Sequence, residues 1–210
     1  MIDNNFLRYL PLFLVLDLII PFLLAPTYKG YNHITQVMSV LGNQKAPLHL
    51  LYNIWLVLLG VIILMSSFQI YLVTARSSKV VSIILASIVA VYAIGGCVLS
   101  GVFSVEETKS LDTLSAKIHG YGSVVGFLLL TLAPLLIGIY FFKIQNGTFG
   151  FLSLGCFMLT LIFFVLFVLA DKPIYNGTFV ASEGLWQRLS LFFMYLPLIF
   201  LSFQTFIECR

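Results

Sequence analysis

Charge is what this sequence has least of. Only 9% of its 210 residues are Asp, Glu, Lys or Arg, against about 25% in a soluble domain. So few charges cannot clothe a water-facing surface, so most of the surface must meet lipid. A mean hydropathy of +1.07 fits that reading. No polar stretch is long enough to hold a second, soluble domain. The net charge of +3 is small and scattered, which excludes a nucleic-acid-binding face.

Cysteine is scarce too. Cys97 and Cys156 fall inside apolar runs and Cys209 stands near the end, which is neither a disulfide framework nor a zinc knuckle. The start, Met1 to Asn5, carries Asp3 and no basic residue, unlike a signal peptide. The apolar run that follows therefore reads as a membrane helix. No segment alternates apolar with polar residues, which excludes a transmembrane β-barrel.

What is present is a set of long apolar runs. A helix needs about 20 apolar residues to cross the hydrocarbon core. Six segments qualify, at 6–25, 48–73, 79–102, 117–142, 147–170 and 185–206. The fold class is all-α, a single six-helix transmembrane bundle. Connections 74–78 and 143–146 are short, and 26–47, 103–116 and 171–184 are long. Six crossings put the three long loops on one side and both termini on the other. The short loops and their helix ends carry Arg76, Lys79 and Lys143 with no acid, and the termini add Arg8 and Arg210. The long loops mix Lys29, Lys45, Lys109, Lys117, Lys172 and Arg188 with Glu106, Glu107, Asp112, Asp171 and Glu183. The density of basic residues makes the short-loop side cytoplasmic. Both termini are expected inside a plasma membrane, with the long loops outside. The sequons at Asn146 and Asn176 flank one helix and so face opposite sides; both are read as chance occurrences.

Small residues set the expected packing, because close backbone approach replaces the hydrophobic effect inside lipid. Ser82, Ala86, Ala93, Cys97, Ser100 and Gly101 form a stripe on the third helix. Ser115, His119, Gly122, Ser123 and Gly126 form another on the fourth. These two helices are expected to meet. Trp55, Trp186, Tyr31 and Tyr52 are expected to anchor the outer interface.

An ionisable residue inside a membrane segment is a candidate functional residue. Asp17 is the clearest, roughly 12 Å below the outer end of the first helix at 1.5 Å per residue and flanked by Pro11 and Pro21. Asn53, Ser100, Tyr92, His119, Asp171, Glu183, Gln187 and Arg188 also fall in the outer half or at its edge, and the inner half holds almost nothing comparable. An outward pocket roofed by the long loops would produce that asymmetry. Its ligand-binding residues would be His119, Arg188, Asn53, Ser39, Glu183 and Asp17. The partner would be membrane lipid or a small amphiphile, and no cofactor is implied.

Chemistry is not named by any motif. The histidines His33, His49 and His119 make no His-x-x-x-His pair, so no metal site is expected. A serine–histidine arrangement would use Ser39 or Ser100 as nucleophile and His119 as base, with Asp17 or Asp171 as orienter. No Gly-x-Ser-x-Gly accompanies it, and such arrangements are recognised by geometry. The two halves of the chain show no internal similarity of the kind transporters have. A binding protein, an intramembrane hydrolase or lipid-modifying enzyme, a small transporter and a structural subunit therefore stay open, as does the oligomeric state.

Three stretches carry a resemblance. They are Tyr31-Asn-His-Ile-Thr-Gln-Val-Met-Ser-Val-Leu-Gly42 running into Tyr52-Asn53 and Gly60, Gly96-Cys-Val-Leu-Ser-Gly101 with Lys117-Ile-His-Gly120, and Glu183-Gly-Leu-Trp-Gln-Arg-Leu189. Together they resemble a prokaryotic six-helix membrane family catalogued as a domain of unknown function, number 998, over almost the whole chain. The resemblance implies a six-helix fold in a bacterial or archaeal plasma membrane, and no activity. It singles out Ser39, Asn53, Ser100, His119, Glu183 and Arg188, and matches Asp17 less securely.

Overall fold

Backbone polar groups in lipid must find partners within their own segment, so long apolar runs become helices. A computed structural model describes residues 5–104 and 111–208, with side chains over 6–104 and 111–205. Asp3, Glu106, Glu107, Lys109, Cys209 and Arg210, used above, lie outside the described residues. The helices are α1 (Asn5–Leu24), α2 (His49–Thr74), α3 (Lys79–Val91), the short α4 (Ser100–Val102), α5 (Leu114–Leu130), α6 (Ala133–Lys143), α7 (Gly147–Ala170) and α8 (Glu183–Glu208). No strand occurs among the described residues. Six spans are long and apolar enough to cross a membrane: Phe6–Thr27, His49–Thr74, Lys79–Val102, Leu114–Lys143, Gly147–Ala170 and Glu183–Thr205. They agree with the sequence-based spans to within a few residues.

Two spans are irregular in ways their length does not announce. The third widens into a π-helix over Tyr92–Leu99 between α3 and α4, a form that leaves the regular ladder and tends to mark functional positions. The fourth breaks between α5 and α6, where Pro134 stands in the first turn of α6. Proline has no N–H to donate four residues back, so the ladder is interrupted there.

Neighbours in sequence pack side by side, and α1 closes the ring against α8. The expected meeting of the third and fourth spans is present. A Cβ on Gly95 would strike the Gly122 carbonyl, and one on Gly126 would sit 2.9 Å from the Gly96 nitrogen. Glycine is needed at these positions so that the two backbones can touch.

The short-loop half is tied together by neutral groups. Pro11 cannot donate to the Leu7 carbonyl, and the Ser202 hydroxyl of α8 donates to that carbonyl instead, at 2.6 Å. The Leu7 N–H is one of the orphan donors of a helix start, and the Gln69 side chain of α2 accepts from it. Ser66, Ser67, Thr74 and Thr205 return hydroxyl bonds to their own helices. The short-loop half is therefore not empty of buried polarity, contrary to the sequence-based expectation. Serine, threonine and glutamine inside an apolar run escape notice because they interrupt hydropathy so little.

Candidate functional site

One face of α1 points inward through Leu7, Leu10, Leu14, Asp17 and Leu24, at heptad-like spacing. Asp17 thus takes a core position and is only 2% exposed. Pro21, four residues on, leaves the Asp17 carbonyl without its helical donor as well. The facing stripe of α8 is Arg188, Leu191, Tyr195, Leu198, Ser202 and Thr205, all buried. Every seventh residue of that stripe is polar. Arg188 lies near the loop side, Tyr195 mid-span and Ser202 near the short loops.

The Asp17 carboxylate accepts from Trp55 Nε1 at 3.1 Å and from the Tyr195 hydroxyl at 2.9 Å. Tyr195 in turn shares a hydrogen bond with the Tyr92 hydroxyl, 2.5 Å away. Tyr92 opens the π-helix, and Cys97 lies beside its hydroxyl. Phe13 stacks on the Trp55 ring with centroids 6.0 Å apart. The carboxylate is thus held by neutral donors in an aromatic setting, and among the described residues no basic group forms an ion pair with it.

Arg188 is the matching cation and is 8% exposed. Its Nη1 donates to the carbonyls of His33 at 2.7 Å, Gln36 at 3.2 Å and Gly184 at 2.7 Å. Its Nη2 donates to the Tyr31 hydroxyl at 2.6 Å and lies 3.3 Å from His33 Nδ1. Phe22 lies beneath the guanidinium at 5.7 Å and stacks on the His33 ring, a cation–π arrangement. No carboxylate among the described residues pairs with the guanidinium, and its Nε is buried without a partner. The fork of planar donors clamps the first long loop to the start of α8. Two further bonds reinforce the clamp, from Leu185 N to the Ile34 carbonyl and from Met38 N to Gln187 Oε1. A Cβ on Gly184 would collide with the Gln36 carbonyl, so the loop seats directly on this glycine.

Tyr52, only 2% exposed, stands within electrostatic reach of both Arg188 and Asp17. Two side chains of the clamp titrate outside the spans. Burial lowers the His33 pKa below its ordinary value, and the nearby Arg188 cation lowers it further. Burial raises the Tyr31 phenol, with Arg188 opposing. Both groups are held neutral at pH 7, which suits a neighbour that is already cationic.

The other expected site residues fall elsewhere. Asn53 donates from Nδ2 to the Gly42 carbonyl at 3.1 Å and to Ser104 Oγ at 3.4 Å, and its Oδ1 is buried without a partner. His119 Nδ1 bonds the Phe103 carbonyl at 2.7 Å. Ser123 donates to the His119 carbonyl, and its hydroxyl pairs with that of Ser100 at 2.8 Å. The serine hydroxyls therefore engage backbone and each other, and none bonds the imidazole among the described residues. Ser39 is half-buried in the turn Met38–Gly42, and Glu183 is half-buried in the first turn of α8. The structure thus places Asp17 and Arg188 in the same loop-side half, each with its own partners, and puts His119, Ser100 and Ser123 in a separate cluster at the α4–α5 contact. Among the described residues no three His, Cys, Asp or Glu side chains converge on a metal-sized site.

Trp55, Tyr31 and Tyr52, expected at the outer interface, all face the buried polar residues of the loop-side half. Tyr195 has no counterpart in the sequence-based expectations. The signal that could have found it is its two-turn spacing from Arg188 on one helix face.

No curated protein and no solved structure matches the chain. The family described as protein of unknown function (DUF998) matches residues 12–204, a stretch that includes Asp17, the whole first loop, the π-helix and the α8 stripe from Arg188 to Ser202. The chain belongs to that family.

Proposed function

We propose that this protein is a binding protein of a prokaryotic plasma membrane that takes the headgroup of a small amphiphile or lipid in the outer half of the bilayer. Both termini are cytoplasmic in this reading and the long loops are outside. The first loop is the cap, and Arg188 and Asp17 are the two poles of the site. A headgroup carrying an anion and a cation fits best. Arg188 offers a planar donor fork suited to phosphate or carboxylate, and Asp17 among Trp55, Tyr195 and Tyr92 suits an ammonium.

One observation supports this above the others. A cation and a carboxylate are buried in the same half of the bundle, and each is satisfied only by neutral groups. Burying unpaired charge is costly, and a bundle built only for stability would do better with apolar residues of similar volume. A ligand that neutralises both poles gives them a purpose.

Trp55 provides the readout, because its indole N–H bonds Asp17 directly. In a W186F background it is the single tryptophan. Titrating short-chain zwitterionic lipid into the purified protein should shift its emission saturably. Anionic and uncharged lipids of the same chain length should do so more weakly, and D17N should abolish the preference. Equal responses to all three headgroups, unchanged in D17N, would sink the reading.

A further inference from the structure

A second feature lies at the opposite end of the bundle and is independent of the loop-side site. A groove of about 410 Å³ opens there, lined by Val73, Arg76, Ser77, Tyr140, Lys143 and Ile144. Arg76 follows the end of α2, and Lys143 is in the last turn of α6. These helices are not neighbours in sequence, so folding brings one cation from each short loop to a shared hollow. We propose that this groove binds the phosphate of an anionic membrane lipid, with Arg76 and Lys143 as its two cationic contacts.

Three observations carry the assignment. The groove lining contains two like charges and no carboxylate, an arrangement that repels itself until an anion enters. The groove is mixed in character, with Val73 and Ile144 as apolar walls beside Tyr140, Ser77 and the cations. That mixture matches the level where a headgroup passes into its acyl chains. Both loops are also fixed in advance. Asn146 bonds Gln204 of α8 at 3.0 Å and accepts from Phe149 N, and Gln145 holds a left-handed backbone at φ 62°. The turn after α2 is closed by Ala75 N to the Tyr71 carbonyl and Ser77 N to the Thr74 carbonyl. Cations at helix C-termini are favoured by the helix dipole alone. That preference does not place two of them on one hollow.

The test is retention of lipid by the full-length protein. Protein purified in neutral detergent is mixed with equal amounts of phosphatidylglycerol and phosphatidylcholine, and bound lipid is counted by native mass spectrometry. Wild type should retain the anionic lipid preferentially. R76Q and K143Q should each weaken that retention roughly fivefold, the worth of one basic residue at an anionic surface, and the double variant by about 25-fold. The control K29Q/K172Q removes the same charge from the long loops and should change nothing. R76K/K143R keeps both charges and should keep the preference. No preference in wild type would overturn the proposal, whether or not the variants fold. An equal loss in K29Q/K172Q would overturn it in favour of general electrostatics. If inorganic phosphate at the same concentration displaces the lipid completely, the site takes free phosphate and the lipid assignment falls.

Discussion

The loop-side and short-loop halves of this bundle both bury polar groups, but they bury different kinds. The loop-side half buries Asp17 and Arg188 with four aromatic residues that carry hydrogen-bonding groups: Tyr31, Tyr52, Trp55 and Tyr195. The short-loop half buries Gln69, Ser202 and Thr205, each matched to backbone. The neutral groups repair what helix geometry leaves open, such as the carbonyl stranded by Pro11. Asp17 bonds only side chains, and Arg188 directs most of its fork to the first loop rather than to its own helix. Buried polarity in a membrane protein is thus not in itself a pointer to function; charge that is satisfied only by neutral partners is the stronger one.

That contrast can be broken by substitution, and the largest effect is expected at Asp17. D17A leaves the Trp55 indole N–H without its acceptor and removes one of the two hydroxyl partners of Tyr195, and should cost about 2–4 kcal/mol, read by thermal unfolding in detergent. D17N keeps an acceptor and should cost about half as much. If D17A were neutral, the carboxylate would hold nothing together and the contrast would lose its main example. Next comes Arg188. R188A should release the first loop and cost about 2–3 kcal/mol, with amide exchange over residues 31–38 rising. R188K keeps the charge but not the fork, so it should recover little. Protection restored by lysine would mean that charge alone holds the loop.

On the other half, Q69A should cost only about 1 kcal/mol and leave headgroup binding untouched. A loss of binding in Q69A would erase the division between the halves. The smallest effect is a pH dependence of the loop. His33 is held below its ordinary value when the loop is docked. The released loop therefore takes up a proton first as pH falls below about 6.5, and docking weakens with acid. Its full contribution is present above that pH. Protection over residues 31–38, taken relative to the intrinsic exchange rate at each pH, should be lower at pH 5.5 than at 7.5, and H33N should flatten the difference.

The six spans were legible because hydropathy over 20 residues is a strong signal, and the meeting of the third and fourth spans was legible because small residues recur at helical spacing, although Gly95 and Gly96, which make the closest approach, stood outside the expected stripe. Asp17 was visible as a charge in an apolar run, and its location in the core follows from its register with Leu7, Leu10 and Leu14. Its partners were not visible. Trp55 and Tyr52 look like interfacial anchors in sequence, since aromatic residues near a helix end usually are, and only the tilt and rotation of α2 turn them inward. The π-helix was hidden because Tyr92–Leu99 is as apolar as its surroundings. Arg188 was expected among the ligand-binding residues; what hydropathy could not show is that the backbone carbonyls of the first loop already occupy much of its fork.

The most direct test of the loop-side site is an experimental density map of the protein in nanodiscs of zwitterionic lipid. The account predicts headgroup density between the Arg188 guanidinium and the Asp17 carboxylate, with the Trp55–Asp17 hydrogen bond lengthened or broken. Unbroken side-chain packing there, with Trp55 and Tyr195 still on Asp17 and lipid density only on the outside of the bundle, would contradict it.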